Sequence, residues 1–150
     1  MIVLGIGNVL MQDDGIGVYL AGELKKEKQV KGIQYIIGET DIDFCLDAID
    51  DADFLVVLDA VQFGGEKGSL HEFEFAELTA LEPGIAAHHY HLLNAISSRK
   101  GMLIGIEPFE IGFHYGLSPQ LEKVFPFLLL SVRKRIRRLA SYNDFSAHSG

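Results

Sequence analysis

Phe54-Leu55-Val56-Val57-Leu58 is an unbroken apolar run that stops at Asp59. A strand with one wet face alternates apolar and polar residues, so a run of this kind needs cover on both faces, as in a parallel sheet between two helical layers. The rest of the chain supplies partners for such a strand. Residues 3–7 are aliphatic and closed by glycine, and Ile16, Leu20 and Leu24 then recur at intervals of four on one helical face. Residues 33–37 read as a second strand, followed by a helix whose apolar stripe is Phe44, Leu46 and Ile49. Residues 70–75 alternate, which suits an edge strand. Beyond a loop at Pro83-Gly84, the pattern predicts a helix over 90–98, a strand over 102–106 and an irregular connection over 107–116. Ser118-Pro119 is a helix start, a hydroxyl cap before a proline that loses no hydrogen bond there. The last helix carries Leu121, Phe125, Leu128, Val132, Ile136 and Leu139 on one stripe, with a kink expected at Pro126. Strands alternating with helices predict an α/β three-layer sandwich: a mostly parallel twisted sheet of about five strands with helices on both faces.

At 150 residues and 48% hydrophobic content, the chain fits one α/β domain, expected over residues 1–142, with 143–150 as a flexible tail lacking periodicity. The apolar opening has no basic leader and reads as a strand. No apolar stretch approaches the roughly 20 residues of a membrane-spanning helix. Cys45 is the only cysteine, which excludes an internal disulfide and suits a reducing compartment, so a cytoplasmic location is expected. A net charge of -8 repels phosphate backbones and argues against a nucleic-acid partner. The basic cluster Arg133-Lys134-Arg135 with Arg137-Arg138 is expected near the end of the last helix, complementing its dipole.

In sheets of this type, sites form beyond the carboxyl ends of the strands. Gly5-Ile6-Gly7-Asn8-Val9-Leu10 opens like a dinucleotide-binding fingerprint but has Leu10 where the third glycine should fall. Asp13-Asp14-Gly15 follows, at a helix start where one carboxylate suffices as a cap, leaving the other for a ligand. Asp59 ends a buried strand, where a carboxylate carries a desolvation cost unless a metal or hydrogen bonds compensate it. His88-His89, with His91 close behind, leads into a helix. Two carboxylates and an imidazole at one sheet edge would make a nitrogen–oxygen site suited to nickel or zinc, and three protein ligands would leave positions open. Neither a Gly-x-Ser-x-Gly elbow nor a His-Glu-x-x-His pair is present, and Cys45 falls in an apolar helix, so serine, cysteine and zincin mechanisms lack support. His71 and His148 read as bystanders, and His114, between Phe113 and Tyr115, fits either substrate contact or packing.

The segment from Leu4 to Gly17, Leu4-Gly5-Ile6-Gly7-Asn8-Val9-Leu10-Met11-Gln12-Asp13-Asp14-Gly15-Ile16-Gly17, resembles the opening of the hydrogenase-maturation peptidase family nearly position by position. Val56-Val57-Leu58-Asp59-Ala60, Gly105-Ile106-Glu107-Pro108 and Gly116-Leu117-Ser118-Pro119 are similar to later parts of that family. The resemblance implies an endopeptidase that removes the C-terminal extension of a nickel-loaded [NiFe]-hydrogenase large-subunit precursor. Carried over by position, the family's metal-binding and catalytic residues fall on Asp14, Asp59 and His88, with His89 and His91 as competing ligands. Nickel is expected to arrive with the substrate, and zinc or cadmium is an expected surrogate. A non-enzymatic nickel-binding chaperone or scaffold would use the same ligands. A peptidyl-tRNA hydrolase shares the Gly-x-Gly-Asn opening, but the basic-histidine-asparagine segment it needs is missing.

Overall fold

The computed structural model describes residues 1–78 and 90–149, so His88 and His89 lie outside the described residues. The chain runs β1 (Ile2–Ile6), a 3-10 turn (Gln12–Gly15), α1 (Ile16–Lys26), β2 (Gln34–Glu39), α2 (Ile42–Ala48), β3 (Leu55–Ala60), β4 (Leu70–Glu74), α3 (Phe75–Leu78), α4 (Tyr90–Ile96), β5 (Gly101–Ile106) and α5 (Pro119–Ser149). The sheet order is β2-β1-β3-β5-β4. All neighbours are parallel except β4, which pairs antiparallel with β5 at the edge.

The continuous apolar run becomes the central strand β3, whose six residues are all buried. Its alternate side chains serve two cores. Val56 and Leu58, with Val3 and Ile104, pack against Ile16, Leu20 and Leu24 of α1 and Leu121, Leu128, Val132 and Ile136 of α5. Leu55 and Val57, with Leu4 and Leu103, pack against Cys45, Ile49, Leu92 and Ile96 on the opposite face. Helices therefore cover both faces, as an apolar strand of this kind requires.

Several local expectations are corrected. Asp59, expected to end its strand, is the penultimate residue: β3 continues to Ala60, with Asp59 paired to Gly105. Along α2 the residue turned to the sheet is Cys45, four positions before the buried Ile49, while Phe44 stays 48% exposed. Helix α5 passes through Pro126 and continues to Ser149, beyond the point where apolar periodicity ends. The basic cluster consequently sits mid-helix, far from the last turn, and its reach is lateral. Arg133 forks onto the Glu27 carboxylate, with Nε 3.1 and 3.0 Å from the two oxygens, and Arg135 meets Glu72 of β4 at 2.7 Å. Among the described residues, no helix is long and apolar enough to cross a membrane.

Two glycines set how closely the first turn approaches the sheet. A Cβ on Gly17 would stand 2.1 Å from the Leu58 carbonyl oxygen and 2.5 Å from that of Ile6, so α1 starts directly on the backbones of β3 and β1. Gly7 has φ +139°, and a Cβ there would stand 2.1 Å from the carbonyl oxygen of Asp14. Together they draw the 3-10 turn down onto the carboxyl end of the sheet.

Candidate functional site

The chain leaves β1 through α1 to form β2 on one side, then crosses by α2 to form β3 on the other side of β1. The two helices occupy opposite faces of the sheet. That reversal is a topological switch point, and open α/β sheets bind ligands in the crevice outside the carboxyl ends at such a point. Asp14 lies in the 3-10 turn that follows β1 and packs on β3, and Asp59 is the penultimate residue of β3. Both carboxylates are buried, Asp14 at 3% exposure and Asp59 at 0%.

The two neighbouring aspartates of the turn have different tasks. Asp13 accepts from the backbone amides of Phe109 (3.0 Å), Glu110 (2.9 Å) and Ser118 (2.7 Å) and from the Ser118 hydroxyl (2.8 Å). It is a latch between the turn and the connection that follows β5. Ser118 Oγ also accepts from the Leu121 amide at 3.2 Å, the helix cap expected from sequence. Asp14 is held differently, its Oδ2 accepting from the Asn8 amide at 3.0 Å, while Asn8 Oδ1 accepts from Leu10 N–H at 3.0 Å to fold the tight turn.

Asp59 Oδ1 accepts from the amide of Ala60 at 2.8 Å. Strand alternation places its side chain on the parity of Leu55 and Val57, the face covered by α2 and α4. Ahead of β5, which runs parallel to β3, comes helix α4. Its first residue is Tyr90, two positions after His88.

Glu107, one residue past β5, is a further buried carboxylate, one that sequence reasoning did not single out as a site residue. It accepts from the Phe63 amide at 2.9 Å, while its backbone pairs with Gly68 (2.8 Å) and Ser69 (2.9 Å). It therefore shapes the loop after β3. The available signal was the one used for Asp59, an acidic residue ending an apolar strand, here followed by Pro108.

The remaining candidates divide by environment. His114 lies on the loop beside the turn, its backbone bonded to Leu10 and Gln12 (3.1 and 2.9 Å). His71 sits against Phe63 on the edge strand, with ring centroids 4.0 Å apart. His91 belongs to α4 and His148 to α5. Burial, aided by the Asp41 carboxylate, pushes the Cys45 thiol up to about 11, which removes it as a nucleophile near neutral pH. Among the described residues, no group of three histidine, cysteine, aspartate or glutamate side chains is arranged to hold a metal, a statement that does not reach His88.

A three-layer α/β domain with a β1/β3 switch point, and buried carboxylates on the turn after β1 and at the end of β3, belongs to the class of open-sheet proteins whose ligands bind at the carboxyl ends of the strands. A sequence model described as hydrogenase maturation protease matches residues 18–135, and the chain belongs to that family. The matched region spans Asp59 and position 88, while Asp13-Asp14-Gly15 precedes it. The hydrogenase expression/formation protein HupD of Thiocapsa roseopersicina is 30% identical over 154 residues, covering 88% of this chain and 66% of HupD. The chain thus spans just under two thirds of that relative. The hydrogenase 2 maturation protease of Escherichia coli K12 is 26% identical over 148 residues, covering 91% of this chain and 90% of that one. A solved endopeptidase from Escherichia coli superposes with a TM-score of 0.78 at 26% identity, covering 91% of this chain and 92% of its own.

Proposed function

We propose that this protein is the endopeptidase that removes the C-terminal extension from a nickel-loaded hydrogenase large-subunit precursor. The observation that carries the reading is the delivery of Asp14 and Asp59, both buried, to neighbouring strand ends at the switch point of a chain in the maturation protease family. The assigned roles are contacts from Asp14, Asp59 and His88 to nickel that the precursor already holds. Carboxylate oxygens with an imidazole nitrogen suit a divalent transition metal, and zinc or cadmium would serve as a surrogate for the same donor set. Three ligands leave the coordination sphere incomplete, so productive binding requires the precursor to bring both the ion and the remaining ligands. Each carboxylate accepts a backbone amide hydrogen bond, which orients it as a ligand. The substrate's nickel would position the chain and polarise the scissile carbonyl. A reducing cytoplasm is the location in keeping with a lone buried thiol.

The experiment incubates the purified protein with large-subunit precursor, with and without nickel. A shortened product in the loaded sample alone supports the endopeptidase. A stable complex with no cleavage in either sample refutes it and favours a scaffold. Asp14→Asn, Asp59→Asn and His88→Ala should each slow processing by about 100-fold or more, since even outer-shell changes at metal sites cost about 10- to 100-fold. His89→Ala is the control, and undiminished processing by any of the three variants removes that residue from the site.

A further inference from the structure

A groove of about 680 Å³ lies between α1 and the first turns of α5, closed on one side by the loop that follows β5. Its walls include Tyr19 and Glu23 of α1, Tyr115 and Leu117 of the loop, and Glu122 and Phe125 of α5. This volume falls within the range of sites that take a side chain or small ligand. The lining combines two carboxylates with aromatic rings and contains no cationic residue.

The carboxylates are available to a ligand. Glu23 meets Lys26 at 3.2 Å in a solvent-exposed pair of the kind that holds its partners weakly. Glu122 makes no side-chain hydrogen bond or ion pair among the described residues. The Tyr19 hydroxyl is buried without a hydrogen-bond partner among the described residues, although a buried hydroxyl normally has one. Burial, and then the neighbouring Tyr115, raise the Tyr19 phenol above its usual range, so it stays protonated. Such a hydroxyl accepts from an ammonium or guanidinium group, and the rings of Tyr19, Tyr115 and Phe125 offer cation–π faces.

The groove also borders the turn that leads to Asp14. Its Tyr115–Leu117 wall is tied to the turn before Asp14, with Gly116 N–H donating to the Val9 carbonyl at 3.4 Å and Gln12 N–H to that of His114 at 2.9 Å. We infer that this groove docks a lysine or arginine side chain of the protein substrate, at a distance from the bond that is cut. The inference rests on the endopeptidase reading for the identity of that substrate. The net charge of -8 favours the same kind of partner.

Two variants test it, the double change Glu23→Gln with Glu122→Gln and the charge reversal Glu122→Lys. Thermal melts first check that each folds like the parent. The dissociation constant for nickel-loaded precursor is measured by fluorescence anisotropy, and processing kinetics by product formation. Both Kd and KM should rise by about tenfold with kcat within about twofold, the behaviour of interface charges that act on binding. A Kd within about twofold of the parent for both variants overturns the groove. A parent protein that binds precursor tightly but never cuts it defeats the endopeptidase, while the change in Kd still decides the groove. A parent that cuts, with variants of unchanged KM, does the reverse. A second measurement needs no precursor: acetyl-arginine amide at millimolar concentration should shift the ring resonances of Tyr19 and Tyr115, and uncharged acetyl-citrulline amide should not. Equal shifts from both compounds, or none from either, overturn the assignment.

Discussion

Asp13 and Asp14 are indistinguishable by local pattern, two carboxylates at one helix start. What separates them lies 96 to 105 residues away, in the amides of Phe109, Glu110 and Ser118 that all converge on Asp13. No local pattern contains that information, whereas the burial of Asp59 is implied by the apolar run leading to it. The difference is measurable. Asp13→Ala would strand buried donors, so urea denaturation should show a loss of about 3 kcal/mol or more. Asp14→Asn keeps an acceptor for Asn8, and its stability should stay within about 1 kcal/mol while processing collapses. Equal stability losses would mean that the two roles have been assigned wrongly. Cys45 yields a pH prediction. In the folded chain its thiol ionises near 11, against an ordinary 9.0, so the folded state holds the extra proton between those values. Its contribution to stability is unchanged below about pH 9 and declines as pH rises toward 11. Tyr19 and Tyr35, both raised mainly by burial, add to the decline higher up. Cys45→Ala should flatten the stability profile between pH 9 and 10, and iodoacetamide at pH 8 should label the folded protein far more slowly than the unfolded chain.

Among the elements, the first helix shows how packing makes a site. Gly17 allows α1 to start on the backbone of β1 and β3, and the turn carrying Asp14 is carried down with it. Gly17→Ala must push the helix outward, because the atoms it meets are main chain. It should cost about 1 to 3 kcal/mol, the usual range for overpacking a well-filled core. Processing should fall by more than the unfolded fraction explains, and a variant with ordinary activity per folded molecule would separate helix seating from catalysis. The elements themselves were largely legible in sequence, since apolar periodicity marks each strand and the stripe of α5. Their ends were less so. Helix α5 outlasts its apolar stripe and runs on to Ser149, and the Arg133 and Arg135 pairings depend on Glu27, just past the end of α1, and on Glu72 of β4. The strand order was not legible either, because pairing β3 with β5 joins segments separated by two helices and the edge strand.

For the molecule as a whole, the switch point matters more than any single element, since it brings residues from either end of a long sequence interval to one crevice. It also makes a statement about metal. The fold rests on two apolar cores, one on each face of a five-stranded sheet, and on the Asp13 latch. None of these needs an ion. A metal bound only by the folded state would add about 2.7 kcal/mol at a hundredfold excess over its dissociation constant. In a domain of this size each kcal/mol moves Tm by about 2 to 4 °C, so removing a resident structural ion would lower Tm by roughly 5 to 10 °C. The expectation, if as proposed the precursor brings the nickel, is a Tm unchanged within about 1 °C after treatment with EDTA. Processing should then follow the metal content of the substrate. Stripping nickel from the precursor should abolish cleavage, and reloading the precursor should restore it without adding metal to the peptidase. A large fall in Tm on chelation, or activity recovered only by pre-loading the peptidase, would show that the ion is resident and that the precursor does not carry the checkpoint.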